Sequence, residues 1–218
     1  MTATATRPVS PVPAVEIYRD DGPLAQALGA AGTAVPVPPV ALVASGALAI
    51  VLGIVLAGTD ASEALAGAIL GWAVLVGAVS SGRPHTDRLA WLTPVLLRVT
   101  EYTGLLWLAS MAGGSAVPAT FALLCPVAFR QYDIVYRHRH RGVGPPPWTA
   151  ILSGGWDGRL LFGYVVWVAG ILTEAFFVAG AVLAVVLVAE SALGWVRAAR
   201  EGRRPMHEED DDELGVDL

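Results

Sequence analysis

The chain has 218 residues, 55% of them apolar, and a mean hydropathy of +0.58, which is too apolar for a soluble domain of this length. Its formal net charge of −5 comes from an acidic tail, His207–Leu218 (HEEDDDELGVDL), so the apolar part is nearly balanced and no nucleic-acid partner is expected. All 14 basic residues are arginine, which excludes lysine Schiff-base or general-base chemistry, and the single cysteine, Cys125, excludes an internal disulfide or a thiolate metal site.

Residues 1–35 are expected to form a flexible leader, with no cleavable signal and a short interfacial helix over 16–30. Pro36, Pro38 and Pro39 mark the start of a transmembrane domain over 36–197, where missing N–H groups do least harm. Six apolar stretches follow, at 36–57, 61–80, 89–111, 117–136, 159–173 and 175–196. A span needs about 20 apolar residues, and the fifth stretch is the short one. The break near Thr173–Glu174 is the weakest, and a single tilted helix over 160–196 would reduce the count to five. The first two stretches carry no charge in mid-span, and Gly67–Gly71 offers a small-residue contact face. Cys125, in the middle of the fourth, reads as a small buried residue. Residues 198–218 form a basic, then acidic, disordered tail.

The arginines orient these spans. The connectors after the second and fourth stretches hold Arg83 and Arg88, then Arg137, Arg139 and Arg141; the tail holds Arg197, Arg200, Arg203 and Arg204. The connectors after the first, third and fifth hold none. Basic residues stay on the cytoplasmic side, so the pattern predicts an all-α polytopic bundle of six spans, alternatively five, with both termini cytoplasmic, in the plasma membrane.

Charged side chains within spans cost about 2.5–3.5 kcal/mol each on insertion scales, so each needs a reason. Arg98, Glu101, Arg130, Asp133 and Glu190 are of this kind, and all fall in the half expected to be cytoplasmic. The run Ser153-Gly154-Gly155-Trp156-Asp157-Gly158-Arg159 adds a helix N-terminus and a further arginine, an arrangement suited to an anion; Asp157 would alternatively cap that helix. Two readings follow. In one, Arg98 and Arg130 are neutralised by Glu101, Asp133 and Glu190, and the network fixes how the helices meet. In the other, a cytoplasm-facing cavity binds a phosphorylated ligand. There Arg98, Arg130, Arg137 and Arg159, with Tyr102, Tyr132, Tyr136 and Trp156, would contact substrate. Glu101, Asp133 and Asp157 would be the catalytic acids, and Asp133 and Asp157 would hold Mg²⁺. The alternating Arg137-His138-Arg139-His140-Arg141 reads as a lipid-facing anchor; its histidines share a face only in an extended chain.

The segments Leu97–Tyr102, Gln131–Arg137 and Gly154–Leu161, introduced by Asp20-Asp21-Gly22-Pro23-Leu24-Ala25, resemble an actinobacterial integral-membrane domain of unknown function. That domain occurs C-terminal to nucleotidyltransferase-like and CDP-alcohol phosphatidyltransferase domains. The resemblance covers about residues 18–200. It implies work near lipid head-group or polyol-phosphate synthesis and assigns no activity. The phosphatidyltransferase motif itself, D-G-x-x-A-R followed by a glycine and two further aspartates, is not met. Gln26 stands at the arginine position after Asp21-Gly22-Pro23-Leu24-Ala25, and the later residues are absent. The expected function is therefore binding of an anionic, phosphorylated, lipid-linked ligand in an intramembrane cavity. If the chain does chemistry, it would be as a membrane-embedded transferase. The alternative is a non-catalytic scaffold for a CDP-alcohol phosphatidyltransferase or other enzyme. Membrane lipids and a homo-oligomer are the other expected partners.

Overall fold

A computed structural model describes residues 15–141 and 144–201. The expectations for the first 14 residues and for the tail beyond residue 201 lie outside the described residues. Among those described there is no strand. A 3-10 turn, Val15–Tyr18, precedes eight α-helices. These are α1 Pro23–Gly32, α2 Pro39–Ala57, α3 Glu63–Ser81, α4 Leu92–Ala112, α5 Ala116–Arg141, α6 Pro147–Ser153, α7 Gly155–Val168 and α8 Leu172–Glu201.

Local chemistry sets the ends of these helices. Proline at the start of α2 fixes φ where no N–H is needed, and Gly58 closes the helix with its N–H 3.0 Å from the Ile54 carbonyl. The Ser62 hydroxyl caps α3 by accepting from Leu65 N–H at 3.2 Å. The tight connector at Gly58–Ser62 joins α2 and α3, which run antiparallel, whereas α5 and α8 pack in parallel, with Gly180 against Ala122 and Ser191 bonded to Asp133; these two are the largest packed pairs. Three helices, α2, α3 and residues 172–200 of α8, are long and apolar enough to cross a membrane. The exposed surface fits that environment, with Leu56 81%, Val55 72%, Val185 71% and Val178 64% exposed while Arg19, Glu101 and Asp157 are fully buried. Apolar outside and charge inside is the reverse of a soluble protein.

Several boundaries differ from the sequence reading. The fifth segment begins at Gly155, four residues before 159, and stops at Val168. Its 14 residues span about 21 Å, short of the roughly 30 Å hydrocarbon thickness. The break falls at Ala169–Ile171, where Gly170 has φ of 72°, and not at Thr173–Glu174. Residues 160–196 are therefore two helices, and Glu174 lies in the first turn of α8. The fourth segment runs on to Arg141, so the Arg/His run is helical. His138 packs edge-on to Tyr18 and His140 against Tyr136, on different faces. Cys125 is exposed, not buried. Of the Gly67–Gly71 pair, Gly67 packs against the Tyr164 ring and Gly71 faces open space, so no interhelical contact uses both.

Helix α1 forms within the segment where a short helix is expected and packs lengthwise on the C-terminal half of α3, with Ala25, Gly29 and Gly32 buried. The segment before it also reaches into the bundle. These two pieces plug the end where α3 finishes and α4 and α7 begin.

Candidate functional site

The site is built around the turn Arg19-Asp20-Asp21-Gly22. Asp20 has φ of 55°, a left-handed conformation that costs a non-glycine residue about 1–3 kcal/mol. The strain is offset by what its carboxylate meets. Arg130, on α5, donates Nε and Nη2 to Asp20 Oδ1, both at 3.1 Å. Arg159 Nη2, on α7, and Gln131 Nε2 donate to Oδ2 at 3.0 Å each. Arg98 Nη1, on α4, is 3.9 Å from the same oxygen. Glu101, fully buried, takes hydrogen bonds from Arg98 Nη1 and Arg159 Nε. Arg98 Nη2 donates to the Arg19 carbonyl, and Arg130 Nη1 to the Thr149 hydroxyl at 2.7 Å.

Three guanidinium groups and two carboxylates thus share one buried volume, and Asp157, a third buried carboxylate, lies beside the same turn. Arg98 Nε is buried within it without a hydrogen-bond partner. Burial alone would raise the Asp20 carboxyl, but the charges of Arg159, Arg130 and Arg98 outweigh it and hold the group below its ordinary value.

A second layer supports the turn. Arg19 is 0% exposed and donates to Asp21 at 2.7 Å, to the Ser80 hydroxyl at 3.1 Å and to the Gly77 carbonyl at 2.9 Å. His85 Nε2 lies 3.0 Å from Arg19 Nη1, and Glu16 accepts from the His85 N–H at 3.0 Å. Burial and the Arg19 charge push His85 down, with Glu16 pulling the other way.

The Gly154–Arg159 run docks directly onto this turn. Trp156 N–H donates to the Asp20 carbonyl at 3.2 Å, and its ring Nε1 to Asp21 Oδ1 at 2.8 Å. Asp157 does not cap its own helix. Its two oxygens accept from Gly22 N–H at 2.6 Å and Ala25 N–H at 2.9 Å, so it caps α1 from another helix. Asp157→Ala should therefore fray α1 and cost about 1–2 kcal/mol, read as a lower unfolding temperature, while Asp157→Asn, which keeps one acceptor, loses less. An unchanged temperature for the alanine variant would contradict this role.

The structure thus brings Arg98, Glu101, Arg130, Trp156, Asp157 and Arg159 together at one end of the bundle. It places the others elsewhere. Asp133 pairs with Arg137 Nε at 2.7 Å and accepts from Ser191 at 2.9 Å, while Arg137 donates to both oxygens of Glu190 at 3.2 and 2.8 Å. That second network joins α5 to α8, and Asp133 and Glu190 do not reach Arg98 or Arg130 through any described contact. Tyr132 and Tyr136 stack on each other at 5.7 Å on an exposed face, beside Trp195. Tyr102 is half-buried against the apolar core. Sequence reasoning missed Arg19, Asp20 as a carboxylate, Gln131 and Thr149. The available signal is the Arg19-Asp20-Asp21 run beside a helix start, within the predicted interfacial helix.

An open cavity of about 370 Å³ adjoins the network. Asp20, Asp21, Gln26, Arg130, His138 and Ala150 are among its walls. The two acids expected to hold Mg²⁺, Asp133 and Asp157, sit in different hydrogen-bonded sets. Among the described residues, no group of three metal-binding side chains converges.

The family's sequence model covers residues 13–213. The chain belongs to a family of unknown function, DUF5941. The match starts before the Arg19–Gly22 turn and ends beyond α8, so both charge networks lie inside the family's region. No curated protein and no solved structure matches the chain.

Proposed function

We propose that this chain is a multi-pass membrane protein of lipid or glycoconjugate metabolism that takes an anionic, phosphorylated, lipid-linked ligand into the cavity beside Arg130. The observation that carries the reading is that this cavity shares Asp20 and Arg130 with a buried network in which three arginines converge on one carboxylate. A phosphate reaching into it meets a bidentate donor in a medium of low dielectric. Six passes with both termini cytoplasmic fit the arginine asymmetry and put the cavity at the cytoplasmic end.

Binding, not chemistry, is the activity proposed. Each candidate acid already has its donors: Glu101 has two arginines, Asp133 has Arg137 and Ser191, and Asp157 has two backbone N–H groups. Any Mg²⁺ would arrive with the ligand's own phosphate oxygens. The probe is dihexanoyl phosphatidic acid, titrated calorimetrically into the detergent-solubilised chain. Ala150→Trp, which fills the cavity from α6, should weaken binding at least roughly tenfold while leaving the unfolding temperature near wild type, a loss of about 1.4 kcal/mol or more. Equal affinity in the two proteins would end the reading.

The saturation of these charges favours a second reading, a non-catalytic scaffold whose network only stiffens the bundle. Its partner would be a CDP-alcohol phosphatidyltransferase, another enzyme or a second copy. Recovery of a fully active phosphatidyltransferase with the Ala150→Trp chain, together with no probe binding by wild type, would select it.

A further inference from the structure

A second cavity, of about 380 Å³, lies between α6 and the C-terminal half of α8. It shares no lining residue with the first. Its walls are Pro146 and Trp148 on one side and Val185, Val186, Ala189, Glu190 and Leu193 on the other, with Arg197 at the far end of the helix stripe. From Val185 to Arg197 the helix rises about 18 Å, so the feature is a long groove parallel to the helix axis. Val185, Trp148 and Leu193 are 71%, 47% and 55% exposed, which opens it to whatever surrounds the bundle. In a chain with helices suited to cross a membrane, the surrounding solvent at this depth is lipid.

The two charged residues along the groove differ. Glu190 is bound through both oxygens by Arg137 and offers no net negative charge to a visitor. Arg197 is exposed, and no hydrogen bond or ion pair to it occurs among the described residues. Trp148 is an aromatic residue of the kind that settles at head-group level. A largely apolar channel with an interfacial tryptophan in its wall, ending in a cation that has no partner among the described residues, matches the acyl chain and head group of an anionic lipid. We infer that this groove holds an anionic phospholipid of the bilayer, an acyl chain lying along α8 and the phosphate on Arg197.

Native mass spectrometry of the full chain released from detergent, after equilibration with phosphatidylglycerol or phosphatidylcholine, tests this. Wild type should retain phosphatidylglycerol in preference. Arg197→Gln should lower that preference roughly fivefold, the size expected of one arginine at an anionic surface. Ala189 is exposed, so Ala189→Phe fills the groove without entering the core and should displace both lipids. Ala150→Trp, which blocks only the other cavity, should leave phosphatidylglycerol retention unchanged, so the two sites succeed or fail separately. Wild-type preference in Arg197→Gln, or wild-type retention in Ala189→Phe, would overturn the assignment. So would loss in Ala150→Trp alone. Should Ala189→Phe unfold, Arg197→Gln decides by itself, since no described residue bonds to its side chain.

Discussion

Asp20→Ala is expected to destabilise the chain by about 3–5 kcal/mol, the usual consequence of removing one partner from a buried ionic cluster. The wild-type carboxylate is enclosed by Arg98, Arg130 and Arg159 on three helices. Without it, three guanidiniums face Glu101 alone. Thermal unfolding in detergent measures the loss. Asp20→Asn separates charge from shape, because asparagine tolerates the left-handed φ, and should fall between the two. The vacated place is also the right size and charge for a small anion. Inorganic phosphate should therefore raise the unfolding temperature of Asp20→Ala more than that of wild type, through preferential binding to the folded state. The wild-type pH response follows from the same group. Its folded pKa lies below the ordinary 3.8, so its stabilising contribution is complete above that value and is lost as pH falls through the folded pKa. Asp20→Ala should lack that acid component. An Asp20→Ala protein that melts with wild type would show that the three arginines need no counter-charge there.

The helices were legible because apolar runs and glycine or proline breaks report directly on segments. The arginine-bearing ends were legible too, and Arg98, Glu101, Arg130 and Arg159 do meet. What misled was adjacency along one helix. Arg130 and Asp133 are three residues apart, which leaves their side chains about 60° apart around the axis. That angle is enough to send Arg130 toward Asp20 and leave Asp133 to Arg137, four residues on, and to α8. The true counter-ion, Asp20, is more than 100 positions away from Arg130 in the chain, a pairing that periodicity cannot reveal. It also lies in the segment whose sequence predicts a short interfacial helix over 16–30. The anion place predicted at the start of α7 does exist in chemical terms. The chain fills it with its own Asp20.

That self-occupation depends on how closely two glycine turns approach, and the second large effect is expected there. Gly155 has φ of 65°, which no L side chain adopts readily. A Cβ built on it would overlap the backbone N and Cα of Gly22, and one on Gly22 would overlap the carbonyl oxygen of Gly154. Backbone cannot swing aside as a flexible side chain can. Gly155→Ala should therefore lift the Arg19–Gly22 turn off α7, breaking at once the Trp156 N–H to Asp20 carbonyl bond and the Asp157 cap on α1. Strain and lost contacts together place the cost at about 4 kcal/mol or more, in the exceptional range for one methyl group. Gly158→Ala, four residues from Gly154 and facing open space, is the control and should change stability by no more than roughly 0.5 kcal/mol. Amide hydrogen exchange distinguishes undocking from global loss: in Gly155→Ala, protection should fall first in α1 and stay high in α2. Uniform loss across both helices would mean that the turn is not a separate lock, and wild-type protection in α1 would mean that the close approach does not hold it.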